Sequence, residues 1–304
     1  MASFALQFRD FARSAGPDCR LRLAPTPSGF LHAGNALNFI LNWLTARLHG
    51  GKILLRIDDL DADRKRPEYV RDVFDSLHWL GLDWDEGPAS PEDFEDTWSQ
   101  HRRLPAYFAL LERLRATGLL FACRRSRRDL APFGGGYPPE FRDQGLSLDD
   151  ADVAWRIMTP PDFPLPDFVV RRRDGIPAYQ VASLADDLYF RITHIVRGAD
   201  LEASTAAQRF LARTLGENAF SGIRFLHHPL FTDEQGDKLS KSAGAASMKA
   251  MREAGAASLF SGRSRSGGRS TGRRLAGTGL TPITIAIRPA VSPTRAHRIR
   301  RRRN

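Results

Sequence analysis

The segment KILLRI at residues 52–57 constrains the fold most, because its apolar side chains fall on both parities. A strand carrying Ile53, Leu54, Leu55 and Ile57 has no face to offer water, so it belongs in the middle of a sheet covered on both sides. The preceding residues supply one cover. CRLRL alternates and predicts a short strand over 20–24, followed by a turn rich in Pro, Ser and Gly. Leu37, Ile40, Leu41, Leu44 and Leu48 then recur at helical spacing, and HGG at 49–51 is a helix stop. Strand, turn, helix and strand make a βαβ unit, the seed of a doubly wound parallel α/β sheet.

The rest of the chain extends that pattern. Val70, Val73, Phe74, Leu77 and Leu80 predict a second amphipathic helix, and 102–117 a third. Strands are expected at 154–157, 167–172 and 193–198, and helices at 177–189 and 204–215. Between them, 119–153 carries arginines, GGG and YPPEF, and reads as an inserted small subdomain or surface loop. There is no internal repeat.

The formal net charge of +10 belongs to one end of the chain. Residues 261–304 hold 12 Arg and no Lys, Asp or Glu, which leaves 33 basic against 35 acidic residues in 1–260. Nucleic-acid affinity therefore cannot be argued from the bulk charge of the folded part. The tail, rich in Arg, Gly, Ser, Thr and Pro, has the composition of a disordered segment. It reads either as an arm that neutralises RNA phosphates or as the product of a shifted frame in GC-rich DNA. No apolar run approaches a membrane span, and the N-terminus lacks the plan of a secretory signal. With only Cys19 and Cys123, neither a disulfide framework nor a four-cysteine zinc site is available. A cytoplasmic monomer that does not enter membranes is the expectation.

The turn at 25–35 carries chemistry. A helix N-terminus offers unpaired N–H groups and the positive end of the macrodipole, so it attracts phosphate. Gly34 lets a nucleotide approach the backbone, and His32 and Asn35 can donate to phosphate oxygens. No GxGxxG is present, so this is not the dinucleotide fingerprint. Far downstream, DKLSKSAG places Lys238 and Lys241 three apart in a chain with only five lysines. Ammonium groups there suit charge building on a leaving triphosphate.

RLAPTPSGFLHAGN, LLRIDDLD, DFVVRRRDGIPAYQVASLADDLYFRITHIVRGADL and LHHPLFTDEQGDKLSKS stand in the order and spacing of the glutamyl-tRNA synthetase family, which the chain resembles over roughly 20–255. The resemblance implies a class I synthetase, Rossmann-like doubly wound parallel sheet over 18–255, with the insertion at about 119–153 and the disordered basic tail at 261–304. It implies catalytic roles for His32, Asn35, Lys238 and Lys241, with His32, Gly34, Asn35 and Lys241 at ATP. It also implies a glutamate pocket of Arg22, Ala24, Thr26, Asp58, Tyr179 and Arg197. At 58 the family usually has glutamate facing the substrate ammonium, so the shorter aspartate implies a looser or water-mediated contact. Asp186 and Asp187 receive no role, and His194, His227 and His228 read as structural.

The family's short members, the glutamyl-Q tRNA(Asp) synthetases, carry zinc ligands of the type C-x-C…Y…C. Here Cys123 and Tyr137 remain, while Arg125 and Phe141 stand at the other two positions, so zinc is not expected. Only about 60 residues follow KLSKS, too few for a helical anticodon-binding region, which points to this truncated branch. The resemblance then implies L-glutamate, ATP and Mg²⁺, and tRNA(Asp) as the acceptor through its queuosine base. Three alternatives stay open: charging of a tRNA 3′ end, a catalytically retired RNA-binding module, and a small-molecule adenylyltransferase.

Overall fold

The structure, a computed structural model, describes residues 4–134, 136–230 and 247–256. Lys238, Lys241 and the 261–304 tail lie outside the described residues. Helix α1 (Phe4–Arg13) leads into β1 (Arg20–Leu23), α2 (Ala33–His49), β2 (Lys52–Leu55) and α3 (Pro67–Leu80). β1 and β2 pair in parallel, Arg20 opposite Lys52 through Leu23 opposite Leu55. The predicted βαβ unit is therefore present. The strand is shorter than KILLRI, but the pairing continues past its end, where the Arg56 N–H donates to the Leu23 carbonyl and the Asp58 N–H to that of Pro25.

Local chemistry fixes α2. His32 is its N-cap in extended conformation; the Gly34 N–H donates to His32 Nδ1 at 3.1 Å, and the His32 N–H donates to Asn35 Oδ1 at 3.0 Å. Gly50, at φ 71°, closes the other end in the left-handed conformation and donates to the Ala46 carbonyl. Of the predicted face, Leu37 and Leu41 are buried, Ile40 and Leu44 are half-buried and Leu48 is exposed; Phe39, Asn42, Thr45 and Ala46 are buried instead.

After α3 come helical turns at 91–103 and α4 (Leu104–Arg115), then β3 (Leu120–Cys123), β4 (Ala154–Ile157) and β5 (Val169–Arg171). These three strands form an antiparallel sheet in the order β3-β4-β5. The stretch 119–153 thus contributes a fully buried strand, and its sheet takes in β4 and β5 as well. α5 (Tyr179–Tyr189) returns to β6 (His194–Gly198), α6 (Glu202–Thr214) and β7 (Arg224–His228), with α7 (Met248–Glu253) beyond.

β6 and β7 are a second parallel pair. They sit beside β1, where the Thr193 N–H donates to the Arg20 carbonyl and the Arg20 N–H to Thr193 Oγ1. The spatial order is β2-β1-β6-β7, so the connection reverses between β1 and β6. Asn38 of α2 spans that junction, its Nδ2 donating to the Val196 carbonyl at 3.0 Å. One apolar cluster joins Phe11, Leu21, Leu23, Ile53, Leu55, Val73, Leu77 and Val196 about this layer. A second joins Leu114, Leu120, Trp155, Val170, Leu184 and Leu211 about the antiparallel sheet and α4–α6. α1, which the sequence reading left without an element, seals the first with Phe11. Among the described residues no helix is long and apolar enough to cross a membrane.

Candidate active site

A cavity of about 650 Å³ opens where β1, β2, β6 and β7 end and α2 begins. This is the carboxyl edge of the parallel strands at the point where their order reverses, the usual ligand crevice of open α/β sheets. Arg22, Ala24, Thr26, His32, Gly34, Asn35, Asp58, Tyr179 and Arg197 all line it. Every site residue read from the sequence that falls among the described residues thus lines this cavity. His228, read as structural, lines it too, along with Asn38, Arg64 and Asp200.

At the α2 end the cap geometry selects a tautomer. His32 Nδ1 accepts the Gly34 N–H, so the ring proton sits on Nε2. Gly34 has a second reason to lack a side chain: a Cβ there would meet His32 Cε1 and Nδ1 at 3.0 Å. With Asn35 Oδ1 taken by the His32 N–H, the Asn35 amide nitrogen is left as that side chain's donor.

The other end is a buried charge network. Arg56 binds Asp58 with both arms, Nε to Oδ1 at 2.7 Å and Nη2 to Oδ2 at 3.0 Å. Its Nη1 donates to Asp187 Oδ1 at 2.8 Å, and Arg22 Nε donates to the same oxygen at 2.9 Å. Asp186, one residue earlier on α5, points elsewhere and accepts from Arg103, Gln100 and the Tyr107 hydroxyl. Burial raises both Asp58 and Asp186, but the outcomes differ. Asp58 stays above the ordinary aspartate range despite Arg56, whereas Arg56 and Arg103 bring Asp186 below it. The expected ammonium-facing carboxylate is therefore already engaged by a guanidinium the sequence reading did not single out. A charged residue inside the apolar KILLRI run was the available signal for Arg56.

Arg197 differs from these arginines. It is 2% exposed, its Nη1 donates to Gln208 Oε1 at 3.0 Å, and its guanidinium lies 5.0 Å from the Phe225 ring centroid. Nε and Nη2 are buried with no hydrogen-bond partner among the described residues. Burial pushes its pKa down to about 10, so it remains cationic at neutral pH. A buried guanidinium that lines a cavity and has two nitrogens without partners among the described residues is suited to a planar anion such as a carboxylate. Tyr179, in the first turn of α5 and 39% exposed, stands at the mouth.

The insertion is packed differently. Arg125 and Phe141, at the two positions where the family's ligand pattern has cysteine, pack on each other, the guanidinium 3.6 Å from the ring centroid. Arg156 covers the Tyr137 ring at 4.5 Å, and the Tyr137 hydroxyl donates to Cys123 Sγ at 3.2 Å. One thiol and one phenol bonded to each other, beside a cation stacked on an aromatic ring, do not fit a four-ligand zinc site. Arg125→Ala removes one of these stacks, worth about 0.5–2 kcal/mol. We expect its melting temperature to fall by about 2–4 °C per kcal/mol lost, with the wild type indifferent to EDTA. Calorimetric scans of both proteins check this; a melting temperature that EDTA lowers would reinstate the metal.

The family model described as tRNA synthetases class I (E and Q), catalytic domain, matches residues 18–131 and 143–266. The chain belongs to this family and is a ligase of the aminoacyl-tRNA synthetase type. The Glutamyl-Q tRNA(Asp) synthetase of Parasynechococcus marenigrum (strain WH8102) is 43% identical to it over 241 residues, covering 78% of each chain. That of Synechococcus sp. (strain CC9605) is 42% identical over 248 residues, covering 80% of each. A crystal structure of a glutamate tRNA ligase from Elizabethkingia meningosepticum CCUG26117, in complex with its amino acid, matches with a TM-score of 0.62 at 25% identity. That match covers 74% of this chain and 52% of the ligase, so the chain spans about half its length.

Proposed function

We propose that the chain activates L-glutamate with ATP and transfers it to the queuosine base of tRNA(Asp), acting as a cytoplasmic monomer. The observation that carries this reading is the pairing of a capped helix N-terminus, suited to phosphate, with a buried arginine pair, suited to a dicarboxylic acid, in one cavity. The similarity to relatives named glutamyl-Q tRNA(Asp) synthetase supports the choice of acceptor.

In this reading ATP enters as its magnesium complex, a substrate. Its phosphates meet the α2 N-terminus, His32 Nε2–H and the Asn35 amide, and Lys238 and Lys241 draw charge from the triphosphate. Arg22 and Arg197 hold the side-chain carboxylate of glutamate, between the Ala24 and Thr26 walls, while Asp58 and Tyr179 meet its ammonium group. The α-carboxylate oxygen attacks the α-phosphorus in line and pyrophosphate leaves. A cyclopentene hydroxyl of queuosine then attacks the acyl carbon, gives up its proton, and displaces AMP.

Glutamate-dependent exchange of pyrophosphate into ATP, without any tRNA, is the expected activity, and Lys241→Ala should abolish it. Labelled glutamate should then appear on queuosine-containing tRNA(Asp) and not on the same tRNA lacking the modified base. Exchange that requires tRNA would instead favour charging of a 3′ end, and folded protein inert under both conditions would sink the catalytic reading.

A further inference from the structure

We infer that Gln208 is a specificity-determining residue: by holding Arg197 with a neutral amide, it reserves that guanidinium's charge for an acidic side chain in the cavity. This inference rests on the glutamate-activation reading above and names what makes the pocket select an acid over its amide.

Three other guanidiniums in or beside the amino-acid end of the cavity each meet a buried carboxylate. Arg22 meets Asp187, Arg56 meets Asp58 and Asp187, and Arg103 meets Asp186. Each of the three thus meets a carboxylate of the protein itself, Arg22 through Nε alone. Arg197 has no carboxylate among the described residues within salt-bridge distance. It bonds the amide oxygen of Gln208, and its guanidinium faces the Phe225 ring. Arg209 lies against the same ring at 4.9 Å, so a second cation backs the stack. Gln208 is itself fully buried on α6 among Thr205, Ala207, Leu211 and Ala212. Its Oε1 accepts from Arg197, while its Nε2 has no hydrogen-bond partner among the described residues.

The choice of amide over acid has a chemical consequence. Glutamate at 208 would reach the same Nη1 and form a stronger, charge-assisted bond. It would also cancel Arg197's charge, and a substrate carboxylate arriving at that guanidinium would face a nearby like charge in a desolvated pocket. Glutamine as substrate carries no such charge and would not be penalised. The neutral amide of Gln208 therefore fixes the position of Arg197 without spending its charge.

The test compares full-length wild type, Gln208→Glu and Gln208→Met by calorimetric titration with L-glutamate and with L-glutamine, alongside exchange kinetics. For Gln208→Glu we expect glutamate affinity to fall by about tenfold or more, and the preference for glutamate over glutamine to narrow by about the same factor, with the KM for ATP unchanged. Gln208→Met lacks the acceptor but adds no charge, so it should weaken glutamate while keeping the preference. An unaltered preference in Gln208→Glu, with wild type active on glutamate, overturns this inference and leaves the activation reading standing. Parallel loss of glutamate, glutamine and ATP binding with a lowered melting temperature also overturns it, making Gln208 a packing residue. Wild type that neither binds nor activates glutamate removes the activation reading and this inference with it.

Discussion

Arg197→Ala is expected to lower kcat/KM for glutamate in pyrophosphate exchange by about a hundredfold or more, with the KM for ATP held within about twofold. Arg197 lines the cavity, and among the described residues its Nε and Nη2 have no hydrogen-bond partner. Hydrogen bonds to a charged partner contribute about 1.5–3 kcal/mol each, and every 1.4 kcal/mol is about tenfold. Because Arg197 is 2% exposed, water does not replace it cheaply in the variant. Arg197→Lys should recover only part of the loss, since an ammonium is a point charge without the guanidinium's planar fork. Steady-state kinetics with glutamate and ATP varied separately decide the matter. A variant that loses ATP and glutamate together, and unfolds early, would show that Arg197 is scaffold.

The second large effect falls on stability. Asp186→Ala should destabilise the fold by about 3–5 kcal/mol, because it strands buried donors instead of removing an isolated contact. Arg103 gives Asp186 two bonds, at 2.7 and 3.1 Å, and Gln100 and Tyr107 add bonds at 3.0 and 2.7 Å. The carboxylate is wholly buried, and its folded pKa lies below the ordinary 3.8. A depressed folded pKa means that the unfolded state takes up the proton first as the solution is acidified. The contribution of Asp186 is therefore complete above about pH 4 and is lost as pH falls through the folded value. Asp58 works the other way: burial raises its folded pKa, so its ionisation costs stability above that value and the cost is relieved by acid. Urea titrations from pH 7 to pH 3 should show a stability decline in wild type that is shallower in Asp186→Ala. Equal slopes in the two proteins would rule out Asp186 as an acid-sensitive member of the network.

The two adjacent aspartates also show where sequence reading stops. Neighbours on a helix are about 100° apart, and from the sequence the pair received no role. In fact α5 is enclosed on both sides: Asp186 turns to Arg103 and Tyr107, and Asp187 to Arg22 and Arg56. Both neighbourhoods are assembled from segments more than 70 residues away, and local spacing carries no trace of them. Gln208 was legible in principle, as a polar residue inside the apolar stripe of α6. So was α1, whose Phe4, Phe8 and Phe11 keep helical spacing.

The sequence by itself determined the βαβ seed and the placement of the nucleotide turn on a helix N-terminus. The βαβ seed and the turn follow from hydrophobic period and from glycine and proline, which are local properties. The resemblance of its motifs to the family named nine of the residues that line the cavity, but not His228, Asn38, Arg64 or Asp200. Only the tertiary structure decided the direction in which β3, β4 and β5 pair. It alone decided that Arg56 occupies Asp58 and that Arg197 has no carboxylate within salt-bridge distance among the described residues. Those outcomes depend on which groups from distant segments are excluded from water together, and on which of them find an opposite charge there. No window of sequence contains that balance.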